Sequence, residues 1–233
     1  MSDSNVNAIR VVTRPRMTVK TIVSVGLLTA IAFVVMLLSK ALPSVNGFLD
    51  FDFKDIVICI GGFVFGPLTA AIISILVAFI EMITISTTGP IGFIMNALAT
   101  ASFCCTASFV YKKVHSKKGA VIGLSLGVVV LIAVMLLWNY LITPIYQGIP
   151  REVVAGMLPT VFLPFNLVKG GMNMAVTLLL YKPVVTALRK ARLIPESQTA
   201  VPQTGKVNAG FLLFSLALLA TFVFIALVLM GIV

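Results

Sequence analysis

Acid is what this sequence has least of. Its 233 residues carry 7 Asp and Glu against 17 Lys and Arg, with one His, one Trp and three Cys. So few titratable groups exclude most enzyme chemistry. The lone His115 sits in a Lys-rich stretch where solvation explains it, and there is no Ser/His/Asp set, no His-x-x-x-His pair and no CxxC. GxxxxGK[ST] is also missing, so the chain cannot cradle ATP phosphates in a P-loop, and any active transport needs energy from a partner or an ion gradient. Glu81 is the one acid inside an apolar run, which leaves little for a proton relay. Cys59, Cys104 and Cys105 lie in apolar stretches and read as small buried hydrophobes, not as disulfide or metal ligands.

What remains is apolar. With 60% hydrophobic residues, 10% charged residues and a mean hydropathy of +1.14, the chain exceeds what a soluble core can bury, so it is an integral membrane protein. The net charge of +10 raises nucleic-acid binding as an alternative, but the bases cluster at the ends of apolar runs. Arg10, Arg14, Arg16 and Lys20 form one group; Lys112, Lys113, Lys117 and Lys118 a second; Lys182, Arg189, Lys190 and Arg192 a third. That is the positive-inside pattern of a multi-pass protein, and nucleic acid is not expected as a partner.

Runs long enough to span a bilayer fall at 21–39, 91–111, 120–143, 161–181 and 210–232. The stretch 54–86 is long for one span and short for two. If it crossed once, the basic loop 111–119 would face outward, so charge parity splits it at GGFVFGP (61–67), where Gly and Pro supply turn chemistry. Seven spans follow, with the N-terminus cytoplasmic and the C-terminus outside. The cytoplasmic segments then hold 13 of the 17 basic residues; Lys40, Lys54 and Arg151 fall in outer loops, and Lys169 alone is left in the membrane. The N-terminus lacks an A-x-A site after its first apolar run, so 21–39 is expected to be retained as a helix. The expected organisation is a cytoplasmic segment 1–20, a membrane bundle 21–190, a Pro/Ser/Thr/Gln-rich linker 191–209 and a final helix 210–233, with no soluble domain.

Polar groups interrupt the apolar runs at one end. FLDFDFKDI (48–56) alternates Phe48, Asp50, Asp52 and Lys54 with Leu49, Phe51 and Phe53, a period of two that predicts a short extended segment. It reads either as a solvated lip or as a lid whose apolar face covers a ligand. Asn96 lies about one and a half turns into the span that TTGPIG opens. WNYLITPIY (138–146) has aromatics that fit an interfacial belt, but Asn139 needs hydrogen-bond partners. In PFNLVKGG, Asn166 and Lys169 are three apart on one helix face. A membrane Lys costs about 2.5–3.5 kcal/mol on insertion scales. Asn96, Asn139, Asn166 and Lys169 are expected at similar depth in the outer third of the membrane. They form either a ligand site or interhelical glue with a snorkelling Lys. Gly26 and Ala30 in GLLTA form a small-xxx-small pair that allows close helix approach.

DFDFKDI, GGFVFGPL, TGPIG with Asn96 behind it, WNYLITPIY and LPFNLVKGG, in that order, resemble the riboflavin-specific S-components of energy-coupling factor (ECF) vitamin transporters. The resemblance covers roughly residues 18–190. It implies an all-α six-helix membrane bundle, not an enzyme, in a prokaryotic plasma membrane. It also implies riboflavin as transported ligand with no resident cofactor, a transmembrane coupling subunit and two ATPase subunits. Carried onto matching positions, Asn139, Asn166 and Lys169 become ligand contacts, joined by Asn96 and by Leu49, Phe51 and Asp52 of the lid, while Gly26 and Ala30 become the docking face. The chain departs at Phe93, where relatives often carry a polar or acidic residue, and in its additional C-terminal transmembrane helix. Alternatives are an S-component for another vitamin or nucleobase-like solute, or a self-sufficient secondary transporter; whether FMN is also bound is left open.

Overall fold

The computed structural model describes residues 19–45, 49–191 and 209–232. The N-terminal segment, the tip of the 48–53 loop including Phe48, and the linker PESQTAVPQTGK lie outside the described residues. Among the described residues eight α-helices follow in order: α1 (Val19–Ser39), α2 (Lys54–Phe65), α3 (Pro67–Thr84), α4 (Gly89–Lys113), α5 (Lys117–Gln147), α6 (Arg151–Met157), α7 (Leu163–Lys190) and α8 (Ala209–Leu229). A π-helical turn, Leu158–Phe162, joins α6 to α7. Six stretches are long and apolar enough to cross a bilayer: α1, α3, α4, α5, the continuous run Arg151–Lys190 and α8. α2, with 12 residues, is not.

Each break has a local cause. Gly66 has φ +101° and ψ 171°, a region closed to side chains with a Cβ, and Pro67 then opens α3. The split of 54–86 thus occurs within GGFVFGP as charge parity predicts, but one residue makes the turn. Ser116 caps α5 by accepting from the Gly119 N–H, and Gly148 closes it in the left-handed conformation. Within the helices, Thr29, Ser74, Ser108 and Thr177 donate to carbonyls four residues back, so hydroxyls in the apolar interior satisfy themselves.

Spanning helices consecutive in the chain run antiparallel around a core that includes Leu28, Ile58, Ile73, Phe103, Leu124 and Leu131. α4 and α5 approach most closely at Gly123 and Gly127, where an added Cβ would stand 2.7 Å from the Ala107 carbonyl oxygen and 2.8 Å from that of Phe103. Leu68, Ile145 and Leu38 are 74%, 73% and 69% exposed, the outward-facing apolar surface that a bilayer covers. α8 lies along α7, where a Cβ on Gly171 would overlap the Phe222 ring. Around its own circumference α8 buries only Ser215 and Ala226. The chain is a six-helix membrane bundle, α1 to α5 with α7, carrying one further transmembrane helix.

The antiparallel order sorts the charges to the two ends. Lys112, Lys113, Lys117 and Lys118 flank the α4–α5 turn, and a hydrogen bond between the Tyr111 and Tyr181 hydroxyls ties the end of α4 to α7 close to Lys182. His115 is exposed there, as its Lys-rich setting predicts. The opposite end gathers the 40–53 loop, the start of α2, the end of α3 and the starts of α4 and α7.

Candidate substrate-binding site

At this opposite end α2 begins with two charges in its first turn, Lys54 and Asp55, both 1% exposed. Lys54 contacts the Asp52 carboxylate in a direct ion pair, and its Nζ is 4.0 Å from Glu81 Oε2 on α3. Glu81 in turn accepts from Asn96 Nδ2 on α4 at 2.9 Å and faces Lys40 Nζ at 3.5 Å. Lys40 also donates to Asp50 at 3.0 Å, and Ser44 donates to the other Asp50 oxygen at 2.8 Å. The result is one connected network drawn from α2, α3, α4 and the 40–53 loop. Asp55 stands beside it, accepting from Thr100 Oγ1 at 2.7 Å. Buried charges persist only when paired and hydrogen-bonded.

In the loop, burial opposes the charged forms of both Lys40 and Asp50. For Asp50 the hydrogen bonds from Lys40 and Ser44, with the charges of Lys40 and Lys169, outweigh that opposition and hold its carboxyl below the ordinary range. For Lys40, Asp50 and Glu81 do the same and hold its ammonium above the ordinary range. Both side chains are about 40% exposed, so the pair orients the loop more than it stabilises the fold.

The described residues of this loop are tied down onto the bundle. Val45 and Leu49 bridge to each other through two backbone hydrogen bonds, and Phe53 N–H donates to Ser39 Oγ at 3.1 Å. The expected in–out alternation fails here: Phe51 and Asp52 are both buried, because Phe51 enters an apolar cluster while Asp52 turns to Lys54. Phe51 lies 5.2 Å from the Phe165 ring of α7, with Val45, Val168 and Met172 around them. Leu49 and Phe53 pack at the margin of this cluster beside Phe222, Ile225 and Leu229 of α8.

Several expected residues are brought together and others are not. Asp52 and Asn96 join one network through Lys54 and Glu81. Asn139 is buried, but it donates to the Met135 carbonyl of its own helix and accepts from Thr143. Asn166 likewise donates to the Phe162 carbonyl. No hydrogen bond joins either to Lys169. Lys169 is half-buried, with no hydrogen bond or ion pair from its ammonium among the described residues, although its charge is felt at Asp50. The ammonium enclosed in the bundle is therefore Lys54, not Lys169, and Lys54 is no loop residue: it opens α2 because two carboxylates on neighbouring segments receive it. Glu81 is also not the sole acid within the helices, since Asp55 belongs to α2.

Lys40, Lys54, Glu81 and Asn173 are the contributors that sequence patterns missed. Three acids and two lysines within 40–55, facing one acid in α3, were the available signal. A separate cavity of about 130 Å³ lies at the basic end, lined by Gly62–Gly66, Lys112 and His115. It is smaller than the roughly 300–1,000 Å³ of ordinary ligand pockets. Gly26 and Ala30 are exposed on α1, and nothing stands within 4 Å of where a Gly26 Cβ would be.

Residues 20–181 match the model of the family described as "ECF transporter, substrate-specific component". The chain is 31% identical over 194 residues to the riboflavin transporter FmnP of Bacillus subtilis, covering 76% of this chain and all of that protein. It is 30% identical over 177 residues to the riboflavin transporter RibU of Staphylococcus aureus, covering 73% and 93% respectively. A solved S component of a bacterial ECF transporter superposes with a TM-score of 0.61 at 30% identity, over 72% of this chain and 96% of that one. α8 lies beyond the matched residues 20–181.

Proposed function

Because the chain belongs to the substrate-specific component family of ECF transporters, we propose that its substrate is riboflavin, bound at the end of the bundle opposite the basic clusters. The observation that carries this reading is the connected set of polar side chains beneath an aromatic-lined loop, in a chain whose relatives are named riboflavin transporters. The isoalloxazine ring system is flat and largely apolar, suited to Phe51 and Phe165. Its pyrimidine edge alternates acceptors with an N–H donor, which the carboxamides of Asn139 and Asn166 match once they turn from their own helices. The ribityl hydroxyls offer acceptors to Lys169 and donors to the Glu81 carboxylate. A buried polar group left without such partners costs about 1–3 kcal/mol.

Basic residues concentrate on cytoplasmic segments, so the site faces outward and the N-terminus inward. Energy comes from partners, a transmembrane coupling subunit with two ATPase subunits. The exposed Gly26–Ala30 face of α1 is the surface on which the coupling subunit docks, since small residues let helix backbones approach closely. FMN keeps the ring and the polyol and adds a phosphate, so it is the first competitor to test.

The visible spectrum of protein purified from riboflavin-supplied cells is the direct test. Flavin bands that persist through size exclusion, with saturable titration by riboflavin, are expected. Apoprotein that heats a calorimeter with a different vitamin and ignores flavin would assign the chain to another solute.

A further inference from the structure

Asn173 on α7, one turn beyond Lys169, is 1% exposed and spends its amide N–H groups on two carbonyls. One is that of Lys169, at 3.1 Å. The other belongs to Asp52 in the covering loop, at 2.9 Å across 121 residues of sequence. Its Oδ1 is the one buried side-chain oxygen or nitrogen among the described residues with no hydrogen-bond partner. An interhelical Asn serving only as glue would place its acceptor as well as its donors. Here the donors hold the loop and the acceptor waits.

We propose that Asn173 is a positioning residue that ties closure of the 49–53 loop to a hydroxyl-bearing ligand. Its amide fastens the Asp52 carbonyl onto α7, and its free Oδ1 accepts from a hydroxyl of a polyol chain lying beneath the loop. The Asp52 backbone is a sensitive place to fasten. The Asp52 side chain pairs with Lys54 and accepts from the Lys54 N–H at 2.9 Å, so holding this carbonyl also sets the buried charges that open α2. Ser39 holds the next residue from the opposite side through the Phe53 N–H. The loop is thus pinned between α1 and α7, and only the α7 pin has an acceptor to spare. The inference rests on the riboflavin reading for its ligand, but the fastening itself does not depend on it.

The test has two arms. In the first, stopped-flow fluorescence follows release of riboflavin and of lumiflavin, which keeps the ring and lacks the polyol, from wild type and Asn173→Ala. Release of riboflavin is expected to accelerate at least tenfold with association within about threefold, and release of lumiflavin to accelerate clearly less. This ligand-by-mutation cycle isolates the hydroxyl contact, which a merely structural role would leave unchanged. In the second, Val45→Cys, buried in the loop cluster, is labelled with a maleimide in the absence of any flavin; Asn173→Ala is expected to speed labelling several-fold. If the Ala variant fails to fold, Asn173→Leu, of similar size with neither donor nor acceptor, replaces it in the release arm, and Asn173→Asp, which keeps the acceptor but loses the donors, replaces it in the labelling arm. Equal acceleration for both flavins, or riboflavin release within twofold of wild type, overturns the proposal. Wild-type protein that binds no flavin at all would sink the riboflavin reading, while the labelling arm would still decide the fastening.

Discussion

Lys54 and Lys169 solve the placement of an ammonium among apolar helices in opposite ways. Lys54 is enclosed and paired with Asp52, near Glu81, whereas Lys169 is half-buried and, among the described residues, unpaired. Their substitutions should therefore separate. Lys54→Ala leaves the Asp52 carboxylate without its ion-pair partner, while Glu81 keeps Lys40 and Asn96; breaking a buried pair costs about 3–5 kcal/mol, so a large drop in thermal midpoint in detergent is expected with or without ligand. Lys169→Ala should leave the apoprotein midpoint near wild type and weaken riboflavin binding. The expected loss is at least as large as that of Asn139→Ala or Asn166→Ala, each removing one or two hydrogen bonds and about 1–3 kcal/mol, or roughly 5- to 150-fold in affinity. Thermal melts and titration calorimetry of the four variants check both expectations; wild-type affinity in all three site variants would remove those residues from the site. The spacing of Asn166 and Lys169 was legible in sequence because a helix makes neighbours of residues three apart. The pairing of Lys54 with Glu81 was not, because it depends on α2 folding back along α3, and nothing in the period of either segment records which residues then meet.

At the scale of elements, the breaks were readable where backbone chemistry leaves one solution. Gly66 before Pro67 is such a place. The short α6 and the π-helical turn were not readable, because LPTVFLPF reads as a continuous apolar approach to α7. Substitutions at two helix surfaces probe element contacts. Gly171→Leu drives a side chain into the Phe222 ring, and overpacking of this kind costs about 1–3 kcal/mol. A lowered thermal midpoint restored by a compensating Phe222→Ala is the expected signature. A Cβ at Gly26 meets nothing within 4 Å and Ala30 is exposed, so with Gly26→Leu or Ala30→Leu flavin binding should stay at wild-type strength while uptake into cells expressing the coupling and ATPase subunits stops. Normal uptake by both would move the docking surface elsewhere. Since α8 lies against α7 while α1 packs on α2 and α3, the added helix leaves that α1 surface uncovered.

For the whole molecule, the inward-facing assignment of the basic end predicts that His115→Cys resists a membrane-impermeant maleimide in intact cells while Gln147→Cys, at the end of α5, reacts. The reverse pattern would invert the bundle. The brevity of α2 adds a consequence of another kind. Its 12 residues rise about 18 Å, against a hydrocarbon core of about 30 Å. If the Gly66 turn stands at the inner edge, Lys54 and its carboxylates lie up to about 12 Å below the outer edge. A solute reaching them travels roughly 40% of the way through the transmembrane voltage. Neutral riboflavin feels nothing on that path. FMN carries about −1.5 to −2 charges, and a potential of 100 mV, negative inside, is worth about 2.3 kcal/mol per charge over the full thickness. Descent to Lys54 then opposes FMN by about 1.4–1.8 kcal/mol, or roughly 10- to 20-fold in affinity. Proteoliposomes holding a potassium diffusion potential should bind riboflavin equally with and without valinomycin, and release FMN when the interior turns negative. On that placement, the short helix is expected to make an energised membrane a filter against phosphorylated flavin.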